Sequence, residues 1–151
     1  MKTSQIANAY ELINPAKLTK MDDADKFKVI KAIRIFKPIA IALEELIEDA
    51  QERLKDEQYP VMEQRANKWN EKYGNKKIKR SDIPKEDLKE LDEINAYSAA
   101  HRKLVEDFIK EEADKECELT FDKLSEDAFG KFIASNDFDV KTIIGLQDVL
   151  M

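Results

Sequence analysis

The feature that most constrains the fold is a long stretch between Pro84 and Cys117 in which apolar residues recur every three or four positions. They span about four heptads: Leu88, Leu91, Ile94, Tyr97, His101, Leu104, Phe108 and Ala113. Such spacing places side chains along one stripe of an α-helix, as in a coiled coil. Pro84, Glu86 and Asp87 suit the first turn of that helix. The pattern therefore predicts a helix over residues 85–115 whose stripe needs another helix to cover it.

A second long helical region precedes this one and changes character along its length. Acidic residues at 22–25 suit its start, because the N-terminus of a helix favours negative charge. The segment 27–43 is apolar on nearly every side, which predicts burial on every side. Beyond it the apolar residues narrow to one stripe. Pro38 is expected to bend the helix, Pro60 to bend or break it, and Gly74 to end it.

The rarity of helix breakers decides between helices and a sheet. The 151 residues include only three glycines and four prolines, while 38% are charged. Such a composition favours long helices with solvated faces over a sheet that needs many turns. The sequence therefore predicts a single, mainly α domain over residues 1–151. Residues at about 43–115 are expected to form a long antiparallel, coiled-coil-like helical hairpin, which we call the stalk. Residues at about 1–42 and 116–151 are expected to form a head of short helices.

The predicted head combines short helices with one short two-stranded β pairing. A first helix carries Ile6, Ala9, Tyr10 and Ile13 on one face. Cys117, Leu119 and Phe121 alternate with polar residues, which predicts a half-buried strand over 117–121. The segment 16–21 lies at the correct end of the stalk to pair with it. Ser125 and Asp139 are expected to cap the last two helices, because their side chains accept hydrogen bonds from free backbone N–H groups.

The residues that carry chemistry in proteins are scarce in this chain. His101 is the only histidine and lies on the apolar stripe, while Cys117 is the only cysteine and lies on the predicted strand. Neither has a partner that identifies a nucleophile, and one cysteine with one histidine cannot build a structural zinc site. Glycines at 74, 130 and 145 cannot form a phosphate-binding loop. We therefore predict no catalytic, cofactor-binding or metal-binding residues, and a protein that is not an enzyme.

A basic segment lies at the turn between the two long helices. Its cations flank Tyr73 in a chain whose net charge is −6: Lys72, Lys76, Lys77, Lys79 and Arg80. One interpretation is a solvated turn, where cations favour the C-terminal end of the preceding helix. The other is a contact to nucleic-acid phosphates, or to a partner. The negative net charge weighs against general nucleic-acid binding. We keep nucleic-acid binding by this segment as the alternative function.

Three segments resemble a family of small, mainly helical proteins of unknown function encoded by phages and prophages. They are IRIFKPIAIALEELIEDAQERL, ECELTFDKLSEDAFGKF and VKTIIGLQDVL, and the first leads to Tyr73 and Gly74 as the family's charged helix does. The resemblance covers about residues 18–150, and this chain is longer than the family's pattern between 75 and 115. It implies a structural, assembly or accessory role in a phage. It supplies no catalytic residues.

These observations predict a protein that acts by contact with other proteins, in phage or prophage assembly. The narrow stripe also makes a homo-oligomer plausible. The residues expected at an interface are Tyr97, His101, Leu104, Phe108, Ile143 and Leu146. The N-terminus lacks the apolar run of a signal peptide, and charges interrupt the longest apolar stretch, so no membrane contact is expected. The expected location is the cytoplasm, that of the host if the protein is phage-encoded, or the virion.

Overall fold

The computed structural model describes residues 1–74 and 76–151, and the predicted mainly α fold is confirmed. The described residues form six α-helices and one 3-10 helix (Arg80–Asp82): α1 (Thr3–Ile13), α2 (Asp23–Arg53), α3 (Tyr59–Tyr73), α4 (Lys85–Asp114), α5 (Glu126–Ala134) and α6 (Val140–Leu150). None of these helices is both long enough and apolar enough to cross a membrane.

The chain divides into two compact units. The terminal unit comprises Met1–Ile47 and Lys110–Met151, and the middle unit comprises Glu48–Ile109. The predicted head and stalk have their boundaries near 43 and 115, within a few residues of this division.

Pro60 marks a break between helices. α2 ends at Arg53 and α3 begins at Tyr59, so Pro60 lies in the first turn of α3, where its missing N–H removes no helical hydrogen bond. The Asp56 carboxylate accepts hydrogen bonds from the backbone N–H groups of Gln58 at 3.0 Å and Tyr59 at 3.1 Å. Pro38, in contrast, lies within α2 and does not end it.

The core of the terminal unit is built from residues near both ends of the sequence. Its fully buried members come from α1, α2, α5, α6 and the connecting segments, and the largest are Phe36, Phe132, Ile6, Ile13, Leu146, Leu150, Val29 and Val149. The predicted helix caps are confirmed. The Ser125 side chain accepts from the backbone N–H of Ala128 at 3.1 Å, and that of Asp139 accepts from Thr142 at 2.7 Å.

Burial of α2 on every side was a wrong prediction. Within the segment 27–43 its buried residues recur at three- and four-residue spacing and so define a single face: Val29, Ala32, Phe36, Ala40 and Leu43. Phe27, Ile30 and Ile41 are exposed instead. The sequence pattern shows that a helix is apolar all round, but it does not show how many neighbouring elements are present to cover it.

The predicted β pairing between 117–121 and 16–21 is not formed. The described part of the chain contains no strand, only an isolated antiparallel bridge between Lys2 and Glu116. The backbone N–H of Cys117 donates to the carbonyl of Met1 at 2.8 Å. The segment 16–21 is already occupied, because the backbone N–H groups of Lys17 and Lys20 donate to side chains that follow α5.

The middle unit joins α3 to α4 through a series of side-chain contacts, and residue numbers rise in one helix as they fall in the other. The Trp69 indole N–H donates to the backbone carbonyl of Asp87 at 2.9 Å. The Arg65 Nε donates to the Glu90 carboxylate at 2.6 Å. The rings of Tyr59 and Tyr97 lie 6.3 Å apart.

This unit buries few side chains completely. Among its described residues, only Ala50 and Val105 are fully buried hydrophobic residues. The apolar stripe of α4 therefore remains half-buried along most of its length.

Candidate interaction surface

α6 is apolar on two faces, and only one of them is covered. The helix begins after the Asp139 cap, and its inner face buries Leu146, Val149 and Leu150 in the core of the terminal unit. On the outer face Val140 is 73% exposed and Ile144 is 55% exposed, and Met151 is exposed just beyond the helix. A helix that is apolar on more than one face is ordinarily covered on each of them. We call Val140, Ile144 and Met151 the outer stripe of α6.

An open groove runs between α1 and α6, beside the outer stripe. It has a volume of about 580 Å³ and is lined by residues of α1, the Asp139 cap and α6: Gln5, Asn8, Ala9, Glu11, Leu12, Asp139, Lys141, Thr142, Gly145, Leu146, Asp148 and Val149. Ala9, Leu146 and Val149 are buried, while Glu11, Lys141 and Asp148 are exposed at the rim. Lys141 and Asp148 each lie about one turn from Ile144, so the groove and the stripe form one continuous surface.

Gly145 lies in this groove in the middle of α6. A Cβ atom added to it would have no described neighbour within 4 Å. A glycine inside a helix destabilises it by about 0.5–1 kcal/mol relative to alanine. No packing contact within the described residues requires Gly145. Gly130 in α5 has the same open surroundings but does not line the groove, so it offers a matched position for comparison.

Other exposed apolar side chains of the terminal unit lie on α2, and a charged neighbour partly covers the most exposed of them, Phe27. The Lys31 ammonium lies 4.9 Å from the centre of the Phe27 ring and 3.5 Å from the Asp122 carboxylate. A long basic side chain placed in this way shields apolar surface with its methylene groups. The outer stripe of α6 has no comparable contact among the described residues, and it is the better candidate surface.

Two predicted interface residues belong to α6, and their positions differ from the expectation. Leu146 is fully buried in the core, so it forms part of the groove floor but exposes no side-chain surface of its own. Ile143 is partly buried against the same core. The sequence analysis missed Val140, Ile144 and Gly145, which face outward. The signal was present, since the apolar residues of α6 fill two stripes, but the sequence alone does not show which stripe meets α1.

The other four predicted interface residues lie on α4 in the middle unit. The Tyr97 hydroxyl donates to the Asp56 carboxylate, which lowers the pKa of Asp56 and raises the pKa of Tyr97 to about 12. The His101 ring lies 4.9 Å from the Tyr59 ring, and its Nε2 is buried without a hydrogen-bond partner in the described structure. Leu104 is 52% exposed, and Phe108 is half-buried.

A hollow adjoins this row of side chains. It has a volume of about 260 Å³ and is lined by Leu54, Asp56, Tyr97, Ala100, His101 and Leu104. A cavity of about 150 Å³ already holds a benzene ring. The hollow is therefore large enough to receive an apolar side chain from another molecule.

The basic segment is exposed, and one of its cations is held by α4. Lys72 donates to the Asp87 carboxylate at 2.8 Å, and Tyr73 donates to the same carboxylate. These bonds lower the pKa of Asp87 and raise the pKa values of Lys72 and Tyr73. The remaining cations are exposed and form no ion pair in residues 1–74 and 76–151: Lys76, Lys77, Lys79 and Arg80. Asn75, in the middle of the predicted segment, lies outside the described residues.

Cys117 and the carboxylates form no recognisable reactive centre in the described structure. The Cys117 Sγ is partly buried and lies 3.2 Å from the Thr3 Oγ1. Within the described ranges, no three His, Cys, Asp or Glu side chains converge in a way that could hold a metal ion.

No family model, curated protein or solved structure matches this chain at a significant level.

Proposed function

We propose that this protein acts by binding another protein, and that the outer stripe of α6 and the α1–α6 groove form the binding surface. The observation that carries the proposal is that α6 is apolar on two faces while the terminal unit covers only one. Exposed, contiguous apolar surface next to a polar rim is typical of protein interaction sites. Binding of a partner would remove Val140, Ile144 and Met151 from water.

The shape of the surface favours a helical partner. A groove between two helices, with an apolar floor and charged edges, suits the apolar face of an amphipathic helix. Gly145 supports this mode, because the absence of a side chain lets a partner backbone approach α6 closely. Glu11 and Asp148 at the rim favour a partner whose polar face carries lysine or arginine next to its apolar residues.

The proposed biological setting is phage or prophage assembly, in a structural or accessory role without catalysis. Its support is the resemblance of the segments 33–54, 116–132 and 140–150 to the phage-encoded family. We further propose that α3 and α4 act as an antiparallel, coiled-coil-like hairpin. The supporting contacts are those of Tyr59, Arg65 and Trp69 with α4.

Substitutions in α6 test the proposal. The full chain would be tagged and used to retain partners from a native lysate treated with nuclease, and each partner would then be purified and its affinity measured directly. Ile144→Asp places a charge in the stripe, and Gly145→Leu fills the groove. Each should lower the affinity at least about 10-fold, since a charge or a bulky group would have to be buried or displaced.

Gly130→Leu is the matched control, because it adds the same side chain to a helical glycine outside the groove. It should bind the partner like the unmodified protein. Circular dichroism of each variant would separate lost binding from lost folding. Equal affinity of all three folded variants for the partner would contradict the proposed surface.

The second candidate function is nucleic-acid binding by the basic segment. The observation that favours it is the exposure of four cations within residues 76–80 with no ion pair in the described structure. Fluorescence anisotropy with DNA and RNA oligonucleotides at low salt would measure it. Replacing Lys76, Lys77, Lys79 and Arg80 with glutamate should abolish retention if this function is correct, and the affinity should fall steeply with salt. Absence of binding by the unmodified protein at low salt would exclude it.

A further inference from the structure

We propose that one exposed face of α4 binds the same face of a second copy of this chain, with the two helices antiparallel. The proposal goes beyond the partner surface on α6, because it uses a different helix face in the middle unit. Neither the α1–α6 groove nor the outer stripe is needed for it.

The face consists of six exposed residues of α4 that recur at alternating spacings of four and three: Lys89, Glu93, Ala96, Ala100, Lys103 and Asp107. This spacing places them in one row along the helix. The half-buried stripe of the same helix, which includes Tyr97 and His101, is a separate row turned toward α3. We call the six residues the outer row of α4.

The charges of the outer row complement those of a second, antiparallel copy when the two-fold axis passes near Ser98. Glu93 then meets Lys103 of the second copy, and Lys89 meets Asp107 of the second copy. By symmetry each contact occurs twice, and Ala96 meets Ala100 at the centre. Parallel, in-register pairing would instead place each charged residue beside the same residue of the second copy, so that like charges repel. Opposite charges facing each other across a helix pair fix its orientation in this way.

In the monomer the outer row is exposed to water along its whole length. Lys89, Lys103 and Asp107 form no ion pair among the described residues. Glu93 contacts Arg65 at 2.6 Å, yet its side chain remains half exposed. Ala96 and Ala100 are both exposed and present no bulky group, so a second helix can approach to an interaxial distance near 8 Å.

One edge of the outer row supplies apolar contact. Leu104 is more than half exposed and, with Tyr97 and Ala100, lines the 260 Å³ hollow beside the row. In the antiparallel pair this edge of one copy faces the same edge of the other, so part of the Leu104 side chain is removed from water. The opposite edge carries Asp92 and Glu106, which would stay in water. A mostly polar interface of this kind predicts a weak dimer that salt weakens further.

Charge reversal at Lys89 and Asp107 tests the pairing in the full chain by analytical ultracentrifugation at low and high salt. Lys89→Glu places two acids opposite each other, and Asp107→Lys places two lysines opposite each other. Each variant alone should weaken self-association at least about 10-fold. An equimolar mixture of the two variants should associate again, because their outer rows are then complementary. The double variant in one chain should also dimerise.

Lys68→Glu on α3 is the control, because it reverses an exposed charge outside the outer row. It should dimerise like the unmodified protein, and circular dichroism should show all variants folded. A monomer at every accessible concentration would overturn the proposal. Association of the single variants with unchanged affinity, or failure of the mixture to associate, would overturn it as well. Partner binding by α6, measured on the same samples, would be unaffected by these variants.

Discussion

Tyr97 donates its hydroxyl hydrogen to Asp56, and this bond changes how both side chains titrate. The pKa of Tyr97 is raised to about 12, so its neutral form is stabilised by folding. A phenol whose pKa is higher in the folded state than in the unfolded state, where it is near 10, contributes stability that is present below pH 10. That contribution is lost as the pH rises from about 10 to about 12.

The Tyr97→Phe variant should therefore lose the titration centred at about pH 12, while Tyr73, whose pKa is also raised, keeps its own late titration. Absorbance at 295 nm during an alkaline titration measures phenolate formation directly. The comparison must be made while the far-ultraviolet circular dichroism still shows helix. If the absorbance change that the variant loses were instead centred near pH 10, Tyr97 would titrate as an ordinary tyrosine. The bond to Asp56 would then not form in solution.

Gly145→Ala should stabilise the protein, because alanine favours the helical state and the added methyl group has no described neighbour within 4 Å. The expected gain in the free energy of unfolding is about 0.5–1 kcal/mol. Urea denaturation followed by circular dichroism measures it. A decrease in stability would show that the groove floor at this position is not open.

Single residues were predictable where the determining interaction is local. Ser125 and Asp139 cap the helices that follow them because each bond spans only three residues. Leu146 shows the opposite case, since its burial depends on α1 covering one of two apolar stripes of α6. No pattern within α6 itself distinguishes those stripes.

At the level of elements, the contacts of α3 with α4 depend on carboxylates whose pKa values are lowered. Lys72 and Tyr73 lower the pKa of Asp87, and Arg65 lowers the pKa of Glu90. Groups of this kind contribute stability above their unfolded pKa values, near 4, and lose it as the pH falls through the lower folded values. The middle unit should therefore weaken below about pH 4.

Asp87→Asn tests this acid dependence. It removes the charge that Lys72 and Tyr73 contact while keeping a side chain of similar size. The variant should be less stable than the unmodified protein at pH 7, and the two should become more alike as the pH is lowered toward 2. Thermal denaturation at several pH values measures the difference. A stability difference that does not change with pH would contradict the assignment.

The helices themselves were largely predictable, while their pairing was not. The break before α3 follows from the backbone chemistry of proline, and α3 ends at Tyr73 with Gly74 as its C-cap, although Gly74 keeps right-handed helical dihedrals. The sequence does not show that one face of α2 is exposed or that 117–121 forms no strand, because both depend on which distant segments pack nearby. Residues 16–21 contact the segment after α5, and so the N-terminal residues contact 115–117 instead.

At the level of the whole molecule, the two units differ in how much they bury. Fourteen buried residues form the core of the terminal unit, whereas Ala50 and Val105 are the only buried hydrophobic residues in the described part of the middle unit. Local opening is easier where few apolar contacts must be broken. Amide hydrogens of α3 should therefore exchange faster than those of α1 and α6.

Hydrogen exchange followed by mass spectrometry measures this difference in the full chain. It should be carried out below and above the concentration at which dimers form, since association through α4 would protect the middle unit. Equal protection of α3 and α1 in the monomer would contradict the inference from burial.

The mainly helical class follows from the whole sequence, because few glycines and prolines with many charges leave few other structures available. The proposed binding surface could not be predicted to the same degree. A surface is defined by what the rest of the fold leaves uncovered, and that depends on long-range packing.

The packing of α1 against α6 has a consequence for synthesis. α1 and the apolar half of α2 leave the ribosome long before α6, which supplies Leu146, Val149 and Leu150 to their shared core. Until then the part of the core that α6 covers is exposed and open to chaperones and to aggregation. A nascent chain arrested before residue 140 should therefore bind chaperones, and release of the last helix should end that binding.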